Sequence, residues 1–130
     1  MPTIIKGNLI MEKDIEYNDD LIVEGNILGK NGKRYNLKVN GNIKAGDIAA
    51  WNIITRNINA DNISARNIIA WNINTNDIDA WDINASDITA RNITYYAVCF
   101  VYNNIKCKSI MGKLKKARHF VLYGKIEAME

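Results

Sequence analysis

The chain reads as an all-β protein: one parallel β-helix (β-solenoid), triangular in section, with about 15 residues per coil. Three observations point there. Isoleucine stands at every fifth position from Ile43 to Ile93 without a gap, and Asn or Asp precedes each one. Ala or Thr follows two positions after each isoleucine until Tyr95 ends the series, so the unit is N/D-I-x-A/T-x. A Gly-Asn-Leu/Ile tripeptide recurs at Gly7-Asn8-Leu9, Gly25-Asn26-Ile27 and Gly41-Asn42-Ile43.

A period of five fits neither a helix at 3.6 nor a long flat strand at 2. Within one unit, Ile and Ala lie two apart and share a strand face, so each unit is a short strand ending in a corner. Isoleucine is β-branched and suits a buried pleat. Asn and Asp tolerate tight corners, and stacked Asn side chains can form amide ladders along the axis. Asn, Ile and Thr are mediocre helix formers, and no helical stripe competes.

Residues 1–40 are read as irregular N-terminal coils, 41–95 as the strict repeat, and 96–130 as closing coils with a basic cap, all in a single domain. Three five-residue sides per coil align Leu9, Ile27, Ile43, Ile58, Ile73, Ile88 and Ile105 in one apolar column. Seven or eight coils make a rod of roughly 35 Å. A four-sided coil of about 20 residues is the alternative. The basic stretch MGKLKKARHF breaks the repeat and is expected to form a loop or short helix over the last coils, because an open solenoid end exposes core and strand edges.

Net charge is +3, unevenly spread. Residues 1–40 carry six basic and six acidic side chains, 41–94 four and six, and 95–130 seven and two. No charged-then-apolar leader opens the chain, and no apolar run approaches the ~18 residues of a membrane span. With two cysteines and no export signal, a reduced cytoplasmic setting is expected.

Two positions before each isoleucine the residue varies freely. Trp51, Arg56, Arg66, Trp71, Trp81 and Arg91 occupy this outward position and form the candidate partner-binding strip. At 15 residues per coil, Trp51, Arg66, Trp81 and Tyr96 share one column. There Trp and Arg planes would stack for roughly 0.5–1 kcal/mol per exposed contact. The plain reading is that they brace neighbouring coils. The functional reading is a protein-binding face, since Trp and Arg are enriched at interface hot spots.

Lys106, Lys108, Lys113, Lys115, Lys116 and Arg118 form a second candidate, a basic patch. It is read first as a solvated cap and second as a site for nucleic acid or an acidic partner. No catalytic constellation, metal set or cofactor motif emerges. His119 is the single histidine, and Cys99 and Cys107 are read as small buried hydrophobes. Asp77, Asp79 and Asp82 are read as solvated corner residues. The chain is therefore expected to be no enzyme and to need no cofactor.

The repeat resembles pentapeptide-repeat proteins in its period and its N/D-before-aliphatic step. It differs in phase, since Ala follows rather than precedes the central aliphatic, and that favours the triangular coil. LIVEGNI and NLKVNGNI resemble the flanks of polymer-forming, bactofilin-like β-helices, which are triangular. The blocks IIAWNIN and IDAWDIN, with the ending YYAVC…IKCKSI…HFVL, are similar to small uncharacterised bacterial and phage proteins over about residues 41–122.

These resemblances imply a rigid rod that docks on a protein partner and blocks it. The expected role is a phage or mobile-element inhibitor of a host nucleic-acid-processing or defence enzyme, such as an anti-CRISPR protein. A polymer-forming scaffold and a nucleic-acid binder using the basic end are the alternatives, and a homodimer is a further expectation. Simple DNA mimicry would need a more acidic surface than this repeat has.

Overall fold

The structure, a computed structural model, describes residues 2–128. Its strands are mostly three residues long, and every pairing among them is parallel. Within the strict repeat, each residue pairs with the one 15 positions on, as Ile43 with Ile58 and Ile58 with Ile73. The coil is therefore three-sided. About seven coils stack into one β-solenoid, and the four-sided alternative does not occur.

The first side stacks Leu21, Ile43, Ile58, Ile73, Ile88, Ile105 and Ile126. The second stacks Leu9, Ile27, Ile48, Ile63, Ile78, Ile93 and Ile110. The third stacks Ile15, Leu37, Ile53, Ile68, Ile83, Cys99 and His119. The isoleucines of the strict repeat are buried in one core, with the small alanines beside them closing the corners. Thr55 and Thr75 take the alanine position and stay satisfied. Their hydroxyls donate to the corner carbonyls of Gly41 (2.8 Å) and Asp61 (2.9 Å) in the coil below.

The polar residue before each isoleucine works in two ways. Between regular coils the amides stack: Asn57 donates to Asn42 (2.9 Å), Asn72 to Asn57 (2.9 Å), and Asn67 to Asn52 (2.7 Å). The backbone N–H of Asn67 reaches the corner carbonyl of Trp51 at 3.1 Å. In most coils longer than 15 residues, the side-chain oxygen of the coil below accepts that backbone N–H instead. Asp14 accepts from Asn36 (2.9 Å), Asp20 from Asn42 (2.8 Å), and Asp82 from Val98 (3.0 Å).

Two expectations are corrected. Gly-Asn-Ile does not mark one column: Leu9 and Ile27 belong to the second side and Ile43 to the first, so Ile27 pairs with Ile48. The cause is an excursion after the strand Ile27–Gly29. There a short turn, Lys30–Gly32, lengthens the coil from Leu21 to Ile43 to 22 residues. Asn31 (φ 58°) and Gly32 (φ 75°) both adopt the left-handed conformation that reverses the chain, which Gly and Asn tolerate best.

The second correction concerns MGKLKKARHF, which forms neither a helix nor a loop laid over the end. It contributes to the strand Ser109–Gly112, turns through 113–117 and enters the strand Arg118–Val121. The basic residues thus build the last coil itself. Among the described residues, no helix is long and apolar enough to cross a membrane.

Candidate functional site

In a three-sided coil, the residue after each core isoleucine points outward, and outward residues 15 apart fall in line. On the third side that line is Ile54, Ile69, Asn84, Phe100 and Phe120. Ile54, Ile69 and Phe120 are 42–49 % exposed, and Val98 beside them is 40 % exposed. Phe100 packs edge-on against Tyr102 at 5.1 Å and lies 6.5 Å from Phe120. Ile54, Ile69, Val98 and Phe100, with polar Asn84 between them, floor a shallow groove of about 560 Å³ running along the rod, and Phe120 follows on the next rung.

The corresponding positions on the first side are Asn59, Asn74, Thr89 and Lys106. On the second side they are Ser64, Asp79 and Thr94. Below the last coil, where exposed Met111 continues the second-side line, the third side alone presents an apolar floor.

Both corners bordering this side carry the large variable residues. Trp51, Arg66, Trp81 and Tyr96 climb the second–third corner. The Arg66 guanidinium lies 4.7 Å from the Trp51 ring centre, and Trp81 stacks on Tyr96 at 4.8 Å. Arg56 and Trp71 climb the third–first corner, 5.8 Å apart, followed by Ser86. These contacts brace adjacent coils, yet Trp51, Trp71 and Trp81 remain 41, 63 and 44 % exposed. The rungs stay about 4.8 Å apart, which fixes the rims rigidly.

Five of the six strip residues therefore flank one face. Arg91 does not: it lies on the opposite corner, its N–H bonded to Asn76 and its carbonyl accepting from Lys108 (2.7 Å). The basic candidates also separate. Lys106 lies on the first side across from Glu127, and Lys108 sits on the corner above Arg91. Lys113, Lys115 and Lys116 belong to the turn at the second–third corner, and Arg118 opens the last third-side strand. They spread around the last coil and the coil just beneath it rather than forming one patch.

Sequence reasoning missed Ile54, Ile69, Phe100 and Phe120. The signal was present in NII at 52–54 and again at 67–69, one coil apart. It also missed Arg34, which rises from the Lys30–Gly32 excursion and donates to the Ser64 hydroxyl and carbonyl, both at 3.0 Å. Neighbouring Tyr35 accepts the Trp51 N–H through its carbonyl at 2.9 Å. Local sequence carries no sign of either contact.

Cys99 and Cys107 are free and buried. Burial, with Cys107 nearby, pushes the Cys99 thiol up to about 12, and burial also raises Cys107, so neither is a ready nucleophile. His119 Nδ1 lies 2.6 Å from the Tyr95 hydroxyl, with the rings edge to face. Burial raises the Tyr95 hydroxyl pKa, Cys99 adding to the rise and Arg118 opposing it. Among the described residues, no group of three or more His, Cys, Asp or Glu could hold a metal ion.

No family model matches the chain, and neither a curated protein nor a solved structure matches it.

Proposed function

We propose that this chain is a non-enzymatic protein-binding rod whose third side is the working face. One observation carries the reading: a mostly apolar outward line, Ile54, Ile69, Phe100 and Phe120 with Asn84 in its middle, lies between two corners bearing Trp51, Arg56, Arg66, Trp71 and Trp81. Apolar centres rimmed by Trp, Tyr and Arg are the composition of interface hot spots. A preformed β-solenoid loses little freedom on binding, which supports tight docking from a small face.

Within that reading, we favour an inhibitor that occupies a host nucleic-acid-processing or defence enzyme in the cytoplasm, anti-CRISPR proteins being one such class. That narrower role rests on the resemblance to phage-genome repeat proteins. The two free thiols agree with a reducing compartment. The face is apolar and Arg-rimmed, which supports a wedge into a protein cleft over imitation of DNA.

Photo-crosslinking in bacterial lysate tests it. Benzoylphenylalanine at position 69 should yield a discrete covalent adduct, and the same group at position 74 on the first side should not. Adducts of equal yield at both positions, or none at 69, would overturn the reading.

A further inference from the structure

The two ends of the rod are opposite in charge and alike in shape. Among the described residues, the strands Thr3–Ile5, Leu9–Met11 and Ile15–Tyr17 pair only with the coil above them. Ser109–Gly112, Arg118–Val121 and Ile126–Ala128 pair only with the coil below. Among the described residues, each end therefore presents three parallel strand edges with no further strand beyond them, a template for further pairing. Half-buried Leu9, Ile15 and Tyr17 lie at one end, and half-buried Ile110 and Val121 at the other.

Residues 2–20 hold two cations (Lys6, Lys13) and five carboxylates (Glu12, Asp14, Glu16, Asp19, Asp20), a net −3. Residues 109–128, which make the last coil, hold five cations (Lys113, Lys115, Lys116, Arg118, Lys125) and one carboxylate (Glu127), a net +4.

The ladders sharpen this match. On the first side, the polar residue before the core position runs Asn57, Asn72, Asp87, Asn104 and then Lys125. On the third the corresponding position runs Asn67, Asp82, Val98 and then Arg118, so the acceptor there ends at Asp82. At the last coil this position is a cation on the first and third sides and Ser109 on the second. A coil that brings carboxylates, or that needs no acceptor, suits the two cationic positions. The first coil meets both conditions. Continuing each ladder sets Asp14 over Arg118, Asn8 over Ser109, and Pro2, which has no N–H, over Lys125.

We propose that copies of this chain stack head to tail, the acidic first coil of one seating on the basic last coil of the next. The occupant of each open edge is a second copy. The contact prolongs the parallel ladders and carries the apolar core across the junction, with Leu9 on Ile110 and Tyr17 on Val121. It uses the ends of the rod and leaves the third side free, so it stands apart from the reading of that face.

Sedimentation velocity of the full chain tests the proposal. At low ionic strength the unmodified chain should sediment as multiples of 14.7 kDa. In about 1 M salt, where charges are screened beyond ~3 Å, the multiples should collapse to that single mass. Lys115→Glu/Lys116→Glu/Arg118→Glu and Glu12→Arg/Glu16→Arg should each remain at the single mass. An equimolar mixture of the two variants should recover the multiples, because each then meets an opposite end. A single mass for the unmodified chain at low salt overturns the proposal. So do multiples that ignore salt, or that persist in both variants, and either salt result decides even if a variant folds poorly.

Discussion

At the scale of the residue, isoleucine is held because its slot is shared by three stacked columns and admits little else. Ile68 is 1 % exposed, between Ile53 below and Ile83 above. Ile68→Ala should destabilise the rod by about 3 kcal/mol, the transfer loss plus an unfilled cavity, read as a lower urea midpoint. Cys99 makes a second prediction. Its folded pKa is raised from 9.0 to about 12, so the fold favours the neutral thiol. The stability this contributes is complete below pH 9 and drains away as pH rises from 9 towards 12. Melting temperature should fall across that window, and Cys99→Ala should flatten the fall. The spacing of the isoleucines made the core legible residue by residue. The outward column was legible too, in the doubled isoleucines at 53–54 and 68–69. A reading keyed to period five passes over it, because a side's identity returns only every fifteenth residue.

At the scale of the element, a three-residue strand has no stability of its own and draws it from the coils on either side. Asn57 shows the mechanism: it donates to Asn42 and accepts from Asn72, both at 2.9 Å. Asn57→Ala should cost about 1–2 kcal/mol, since two exposed amide bonds are lost at roughly 1 kcal/mol or less each. Asn57→Asp should retain part of that, because its carboxylate still accepts from Asn72. The strict repeat was readable as elements because each strand and corner is spelled alike. The flanking coils were not, because longer corners move a familiar tripeptide from one side to the next. Gly25-Asn26-Ile27 and Gly41-Asn42-Ile43 look equivalent and lie on different sides. The strands of the last coil were missed for a related reason. Its lysines suggest solvated loop, while the alternation that makes Arg118–Val121 a strand shows only against the coil beneath it.

At the scale of the whole molecule, the rod is a stack of near-independent layers, so its length is adjustable. Deleting residues 57–71 removes one full coil and rejoins Arg56 to Asn72 in phase. That shortened chain should keep its β circular dichroism and a single cooperative transition, with a smaller denaturant slope because less surface is exposed on unfolding. What the long rod adds is a continuous face. Ile54, Ile69, Phe100 and Phe120 come from four coils and make sense only together, between rims held by stacked Trp, Arg and Tyr. Such a face is invisible in any one repeat unit.

A lysine scan around the coil tests that claim most directly. Ile69→Lys, Asn74→Lys and Asp79→Lys alter outward positions on the third, first and second sides in turn. Binding of each variant to the crosslinked partner should be measured by calorimetry, with melting temperature as the check on folding. Ile69→Lys alone should weaken binding by about tenfold or more, the loss typical of a hot-spot residue, while all three variants keep the same melting temperature. Unchanged binding by Ile69→Lys, or an equal loss from Asn74→Lys or Asp79→Lys, would contradict the third side as the working face.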